Sequence, residues 1–157
     1  MQAARTIARG SSAFTSAGAL DLAALARVEV SSEQSLYPID HVFDGQSGPG
    51  GSCWVAGAPG PQRIALSFAH PADIAEVCVE GEERGETRTQ TVELELWSGE
   101  EQRLLPDAAR IFRFSPYGQC FHRVTWKVAA AAVTRLCLRV SPVPSFRRAS
   151  LTSIVLR

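Results

Sequence analysis

Beyond residue 26, apolar and polar residues alternate with a period of two through most of the chain. In QTVELELW at 90–97, Val92, Leu94 and Leu96 alternate with Glu93 and Glu95. Successive side chains of a strand point to opposite faces, so this pattern predicts a strand with one face inward and one in water. RIALSF repeats it with Ile64, Leu66 and Phe68, and TRLCLRV with Leu136, Leu138 and Val140. HRVTWKV sets Val124, Trp126 and Val128 against Arg123, Thr125 and Lys127. IAEVCVE at 74–80 and the closing LTSIVLR alternate less strictly, as strands covered on both faces do. Turn chemistry separates the runs: AHPAD at 69–73, GEERGET at 81–87, WSGEE at 97–101, SPYG at 115–118 and SPVPS at 141–145. Helical spacing is confined to ALDLAALA at 19–26, enough for about two turns at most. About eight short strands at this spacing predict an all-β fold, an antiparallel β-sandwich of jelly-roll type. That domain is expected over 27–157, behind an N-terminal arm at 1–26.

Composition narrows the picture. A chain of 157 residues with 45% apolar side chains suits one domain with a packed core. Sixteen basic and sixteen acidic residues cancel, which removes the overall field expected of a nucleic-acid or anionic-membrane binder. No apolar run approaches the roughly 20 residues of a membrane-spanning helix. The opening MQAARTIARGSSAFTSAGAL has Arg5, Arg9, several Ser and Ala, and no acid. An organellar targeting segment shares that composition, but the apolar middle of a secretory signal is missing. A loosely ordered arm of a bacterial protein is the simpler expectation. Cys53, Cys78, Cys120 and Cys137 form no C-x-x-C pair, so a zinc knuckle has no support. Cys78 and Cys137 sit in strand-like runs as small buried apolar residues, and a reducing cytoplasm is the expected setting.

The stretch YPIDHVFDGQSGPGGSCWVAG at 37–57 invites a phosphate-loop reading, which fails. GQSGPGGSCW has no lysine after its glycines and leads toward a strand, not a helix. An EF-hand fails as well, because Asp44 is the loop's only acid. The order of pieces is more telling: Ser31-Ser32, the VFDG of 42–45, Trp54, QRIALSF, then VTRLCLRVSP and ASLTSIVLR. Over roughly residues 28–157 this resembles the discoidin, or coagulation factor 5/8 type C, family. More narrowly, YPIDHVFDG, the RTQ of 88–90, FSPYG at 114–118 and ASLTS at 149–153 are similar to a group of uncharacterised bacterial discoidin-like proteins. The resemblance implies a galactose-binding-domain-like sandwich that binds rather than catalyses, through loops at one end, with glycans, phospholipid head groups or proteins as ligands. It also implies a structural calcium near the Asp-Gly loop, for which Asp44 is the matching ligand. The acid expected in the last strand is replaced by Ser153. With one carboxylate of two lost, no cofactor is expected, and the alternative is a weak calcium site completed by carbonyls of Phe43 and the 46–52 loop.

Candidate chemistry lies in the polar loops. GEERGETRTQ concentrates Glu82, Glu83, Arg84, Glu86, Arg88 and Gln90, FSPYGQCFHR offers Tyr117, Gln119 and His122, and SPVPSFRRAS offers Phe146, Arg147 and Arg148. A sugar site needs an aromatic face and planar hydrogen-bonding groups for neighbouring hydroxyls. Arg84, Arg88, Trp97, Tyr117, His122, Phe146 and Arg147 are therefore the candidate ligand-binding residues. Each also has a plainer role. The charged hairpin can be solvated, Trp97 can pack at a hairpin edge, Asp44 can cap its turn, and Trp54 and Trp126 can lie in the core. His41, His70 and His122 adjoin no recognisable nucleophile motif, so a hydrolase is the weakest reading. A carbohydrate or similar polar ligand is the expected partner. A protein partner or a second copy, held through Phe112, Phe114 and Tyr117, is the alternative.

Overall fold

The computed structural model describes residues 3–6 and 19–157, with only the backbone of 3–6 and of residues 23 and 24. Residues 1, 2 and 7–18 of the stretch expected as an arm or targeting segment lie outside the described residues. The described strands are β1 (Ala3–Thr6), β2 (Ala26–Val30), β3 (Trp54–Val55), β4 (Gln62–Glu82), β5 (Arg88–Ser98), β6 (Glu101–Arg103), β7 (Ala109–Phe114), β8 (Phe121–Val143), β9 (Ser150–Leu151) and β10 (Ser153–Leu156). Among the described residues, helical structure is a single turn at Leu22–Leu25 and a 3₁₀ segment at Ile39–Phe43. The expected helix at 19–26 stops early because Ala26 already pairs with Phe68 across β2 and β4. Four residues cannot sustain an isolated helix against that pairing.

Two long strands shape the sandwich. β4 has 21 residues and β8 has 23, and they run antiparallel along their whole length, from Gln62↔Val140 to Glu82↔Phe121. Both bend halfway, so each serves both layers of a curled sheet. The AHPAD segment, expected as a turn, is instead a corner inside continuous β4, marked by register shifts between Ser67 and Glu76. On β8 the matching corner has Ala129 and Ala132 at φ 42° and 53°, a left-handed conformation that costs a residue with a Cβ about 1–2 kcal/mol. Asp73 steadies that corner by accepting the Ala132 N–H at 2.9 Å. The SPVPS segment is likewise partly strand, since β8 runs on to Val143.

The sheet order is β1-β2-β4-β8-β5-β6, with β10 beside β4 and β7 beside β5. Between β7 and the start of β8 the backbones are joined by side chains. Trp126 Nε1 donates to the Asp107 carbonyl at 2.7 Å, and His122 Nε2 to that of Arg113 at 2.6 Å. The His122 ring lies stacked on Phe112 at 5.4 Å.

The alternating positions fill the interior as expected. Ile64, Leu66, Val92, Leu94, Leu96, Leu136, Leu138 and Val140 are buried, with Trp54 and Trp126 among them. Phe112 and Phe114 are buried too, which corrects the expectation that they form an outer apolar surface with Tyr117. Phe112 lies so close to Gly81 that a Cβ there would meet its ring at 3.0 Å.

The central pairing should carry much of the stability. Leu138→Ala, at a position with no exposed surface, is expected to cost about 2–5 kcal/mol through lost burial and the cavity left behind. Urea unfolding measures it, as a lower midpoint at unchanged slope.

Candidate functional site

The site is built where β4 ends, β5 begins and β8 ends. These ends meet because β5 is antiparallel to β8, with Thr89 opposite Val143. The period-two pattern of β5 continues inward past Val92 to Gln90 and Arg88, which are polar yet buried. Buried polar groups need partners, and the short β3–β9 ribbon supplies them. Gln90 behaves as a third strand: its Nε2 donates to the Ser150 carbonyl at 2.7 Å and its Oε1 accepts the Ser150 N–H at 3.1 Å. Arg88 Nη1 donates to the Arg148 carbonyl at 2.7 Å and Nη2 to Ser150 Oγ at 2.8 Å. Its Nε lies 3.1 Å from Glu83 Oε1, and its side chain is 3% exposed. Nε makes no well-directed hydrogen bond there, so that contact is an ion pair.

Burial pulls the Arg88 guanidinium below its ordinary range, Glu83 and Glu86 oppose that shift, and Arg147 adds to it. An arginine remains charged at neutral pH regardless. The Ser150–Arg148 segment is thus fixed from below by a buried cation and an amide.

Above this floor opens a groove of about 520 Å³, within the roughly 300–1,000 Å³ common for small-ligand sites. Tyr37 and Phe146 bring aromatic rings to its lining, 41% and 69% exposed respectively. Glu82, Glu83 and Glu86 line it together with Arg88, Arg147 and Arg148. Arg147 Nη2 pairs with Glu86 Oε2 at 2.7 Å, and its guanidinium lies 5.0 Å from the Phe146 ring centroid. Arg148 Nη1 donates to the carbonyls of Ala56 and Gly57. Cys53 also lines the groove. Burial first, and Glu82 second, push its thiol above the ordinary range, so it stays protonated at neutral pH and is a poor nucleophile.

Of the candidate ligand-binding residues, the groove gathers Arg88, Phe146 and Arg147, together with Glu82, Glu83, Glu86 and Arg148 from the same polar loops. Arg84 stands next to it and pairs with Glu82 at 3.0 Å. Trp97 lies elsewhere, with the Arg135 guanidinium 5.3 Å from its centroid. His122 belongs to the seam between β7 and β8, and Tyr117 is fully exposed in the turn between those strands. Tyr37, Gln34 and Ser150 are groove residues that the sequence reading did not select. Tyr37 carried a signal, because it heads the YPIDHVFDG run, but nothing local revealed that the run folds back beside 146–150.

Asp44 Oδ1 accepts the Gln46 N–H at 2.9 Å and Oδ2 accepts the Ser52 hydroxyl. The loop's Gly48 N–H points to Glu80 Oε1 at 2.8 Å and its Gly50 N–H to Glu82 Oε2 at 3.0 Å. Glu80 in turn takes Arg123 Nε at 2.6 Å. Carboxylates thus hold the loop through its amides, and N–H donors face the groups that a cation would need as ligands. Among the described residues no three His, Cys, Asp or Glu side chains converge as a metal would require.

No protein-family model matches the chain, and no curated protein matches it. Solved structures do. The family 32 carbohydrate-binding module of C. perfringens NanJ, in complex with galactose, is 13% identical and superposes with a TM-score of 0.58 over 88% of this chain and 96% of that one. The lectin domain of lectinolysin, complexed with Lewis B antigen, gives 14%, 0.54, 83% and 90% for the same quantities. The CBM32 of AlyQ, in complex with 4,5-unsaturated mannuronic acid, gives 16%, 0.51, 83% and 92%. The fold is therefore the β-sandwich of these modules.

Two measurements check the site's construction. Arg88→Met leaves Glu83, Ser150 Oγ and the Arg148 carbonyl without their cation and should cost about 3 kcal/mol in urea unfolding. EDTA should leave the melting temperature unchanged, and added calcium should not raise it, because a ligand stabilises only the state that binds it.

Proposed function

We propose that the protein is a non-catalytic carbohydrate-binding module whose ligand lies in the Tyr37–Phe146 groove. The observation that carries this reading is the union, in one groove, of two exposed aromatic rings with a dense set of carboxylates and guanidinium groups. Sugar rings have apolar C–H faces that pack on aromatic faces. Their hydroxyls are both donors and acceptors and suit fixed charged partners. The sugar complexes of the NanJ module, the AlyQ module and the lectinolysin lectin domain support the same reading.

The polar groups are held in place before any ligand arrives, which lowers the ordering cost of binding. Histidine positions support binding over catalysis. His41 Nδ1 donates to the Cys53 carbonyl at 2.8 Å and His122 Nε2 to that of Arg113. In both, a ring nitrogen is held by a backbone carbonyl.

A thermal-melt screen against mono- and oligosaccharides, followed by calorimetric titration of the hits, tests the proposal. At least one sugar should bind, and Phe146→Ala should weaken it about tenfold, the loss of roughly 1.4 kcal/mol. The substitution removes an exposed side chain, so the fold should be unaffected. Unaltered affinity in Phe146→Ala would place the ligand outside this groove.

A further inference from the structure

We infer that the groove prefers uronic acids to their neutral counterparts and that Arg148 holds the sugar carboxylate, an inference that rests on the groove being the sugar site. Acids and cations around the groove do not balance. Glu83 lies 3.1 Å from Arg88 and Glu86 2.7 Å from Arg147, while Glu82 pairs at 3.0 Å with Arg84, which stands just outside. Every carboxylate of the lining therefore has a guanidinium. Arg148 is exposed and lines the groove, yet among the described residues it pairs with no carboxylate. A ligand that supplies one completes the set.

The geometry of Arg148 suits that partner. Its Nη1 donates to the Ala56 carbonyl at 3.2 Å and to that of Gly57. Those carbonyls orient the guanidinium without neutralising it. Among the described residues its Nε and Nη2 donate to nothing, and together they form one of the two-pronged edges that match a carboxylate. Neither other arginine of the lining is so placed. Arg88 Nη1 and Nη2 donate beneath the groove to the Arg148 carbonyl and Ser150, and the charge of Arg147 is met by Glu86. Because Arg148 is already tethered to the 56–57 segment, little of its freedom is lost when an acid binds.

A neutral sugar can present a hydroxyl oxygen to the same edge, but a charge-assisted bond is about twice as strong as a neutral one. The rings of Tyr37 and Phe146 contribute equally to both kinds of sugar, since that contact is indifferent to charge. Amino sugars can use the carboxylate oxygens that hydroxyls use, so the discriminating comparison is the acid against its neutral counterpart.

Calorimetric titration with galactose and galacturonic acid, glucose and glucuronic acid, and mannose and mannuronic acid makes that comparison at constant ring configuration. At low salt the acid of a binding pair should bind about fivefold more tightly, the scale of a two-pronged ion pair at an exposed position. Raising the salt should erode this advantage and leave the neutral sugar unaffected. Arg148→Gln should bring the acid down to the neutral sugar's affinity, and Arg148→Lys, which keeps the charge without the fork, should retain part of the preference. An acid that binds no better than its neutral counterpart overturns the inference while leaving the groove as a sugar site. So does an acid-to-neutral ratio unchanged in Arg148→Gln, or an equal loss of both sugars, which marks Arg148 as a support for the 56–57 segment alone. Silence from all three pairs and from neutral and acidic oligosaccharides overturns the sugar site itself, and this preference with it.

Discussion

The architecture of this end of the molecule depends on one buried charge. Arg88 starts β5 on the inward face, where a guanidinium without partners would cost several kcal/mol. It is tolerated because two segments bring three acceptors to it: Glu83 from the hairpin, and the Arg148 carbonyl and Ser150 hydroxyl from the chain before β10. Those segments are held together by the same contacts. The cation that needs them fixes the floor on which the groove stands, and Gln90 extends the clamp one step further along the same strand face.

A second charge organises the neighbouring loop in a similar way. Glu80, even more buried than Arg88, accepts the Gly48 N–H and pairs with Arg123. Glu82 takes the Gly50 N–H and Arg84. The loop that follows Asp44 is therefore tied to the outgoing end of β4 by amide-to-carboxylate bonds, each charge-assisted and worth about 1.5–3 kcal/mol where solvent is excluded. Positive φ at Gly48 and Gly50, 89° and 83°, lets the backbone present these amides. A resident cation is not needed to hold a loop that already donates to two carboxylates.

The fold was legible because its signal is periodic. Val92, Leu94 and Leu96, or Leu136, Leu138 and Val140, announce a strand and its buried face without tertiary information. The corner at 69–73 was not legible, since His70-Pro71 is ordinary turn chemistry and only pairing with β8 shows that the strand continues. Site residues were legible by type and not by place. Phe146, Arg147 and Arg88 stood out as loop aromatics and cations. So did Trp97, Tyr117 and His122, and nothing local distinguished the two groups. The distinction is long-range: β5 antiparallel to β8 brings 88 to 143, and the pairing of Val55 with Ser150 brings 37 and 53 to the same place. Gly81 also looked like part of a turn, although it is the flat spot on which Phe112 rests.

Rigidity and exposure are divided between different residues, and that division bears on how such a groove can bind. The groups beneath it, Arg88, Gln90 and Ser150, are locked by hydrogen bonds to the backbone and to one another. The groups that face solvent, Tyr37, Phe146 and Arg147, come from short segments between strands. Sugars compete with water for every hydrogen bond, so their net affinity depends on how little must be ordered on binding. A floor whose charges are already paired loses little further freedom when a hydroxyl adds to a carboxylate. Preorganisation of the groove thus follows from the same ion pairs that keep its own strands together.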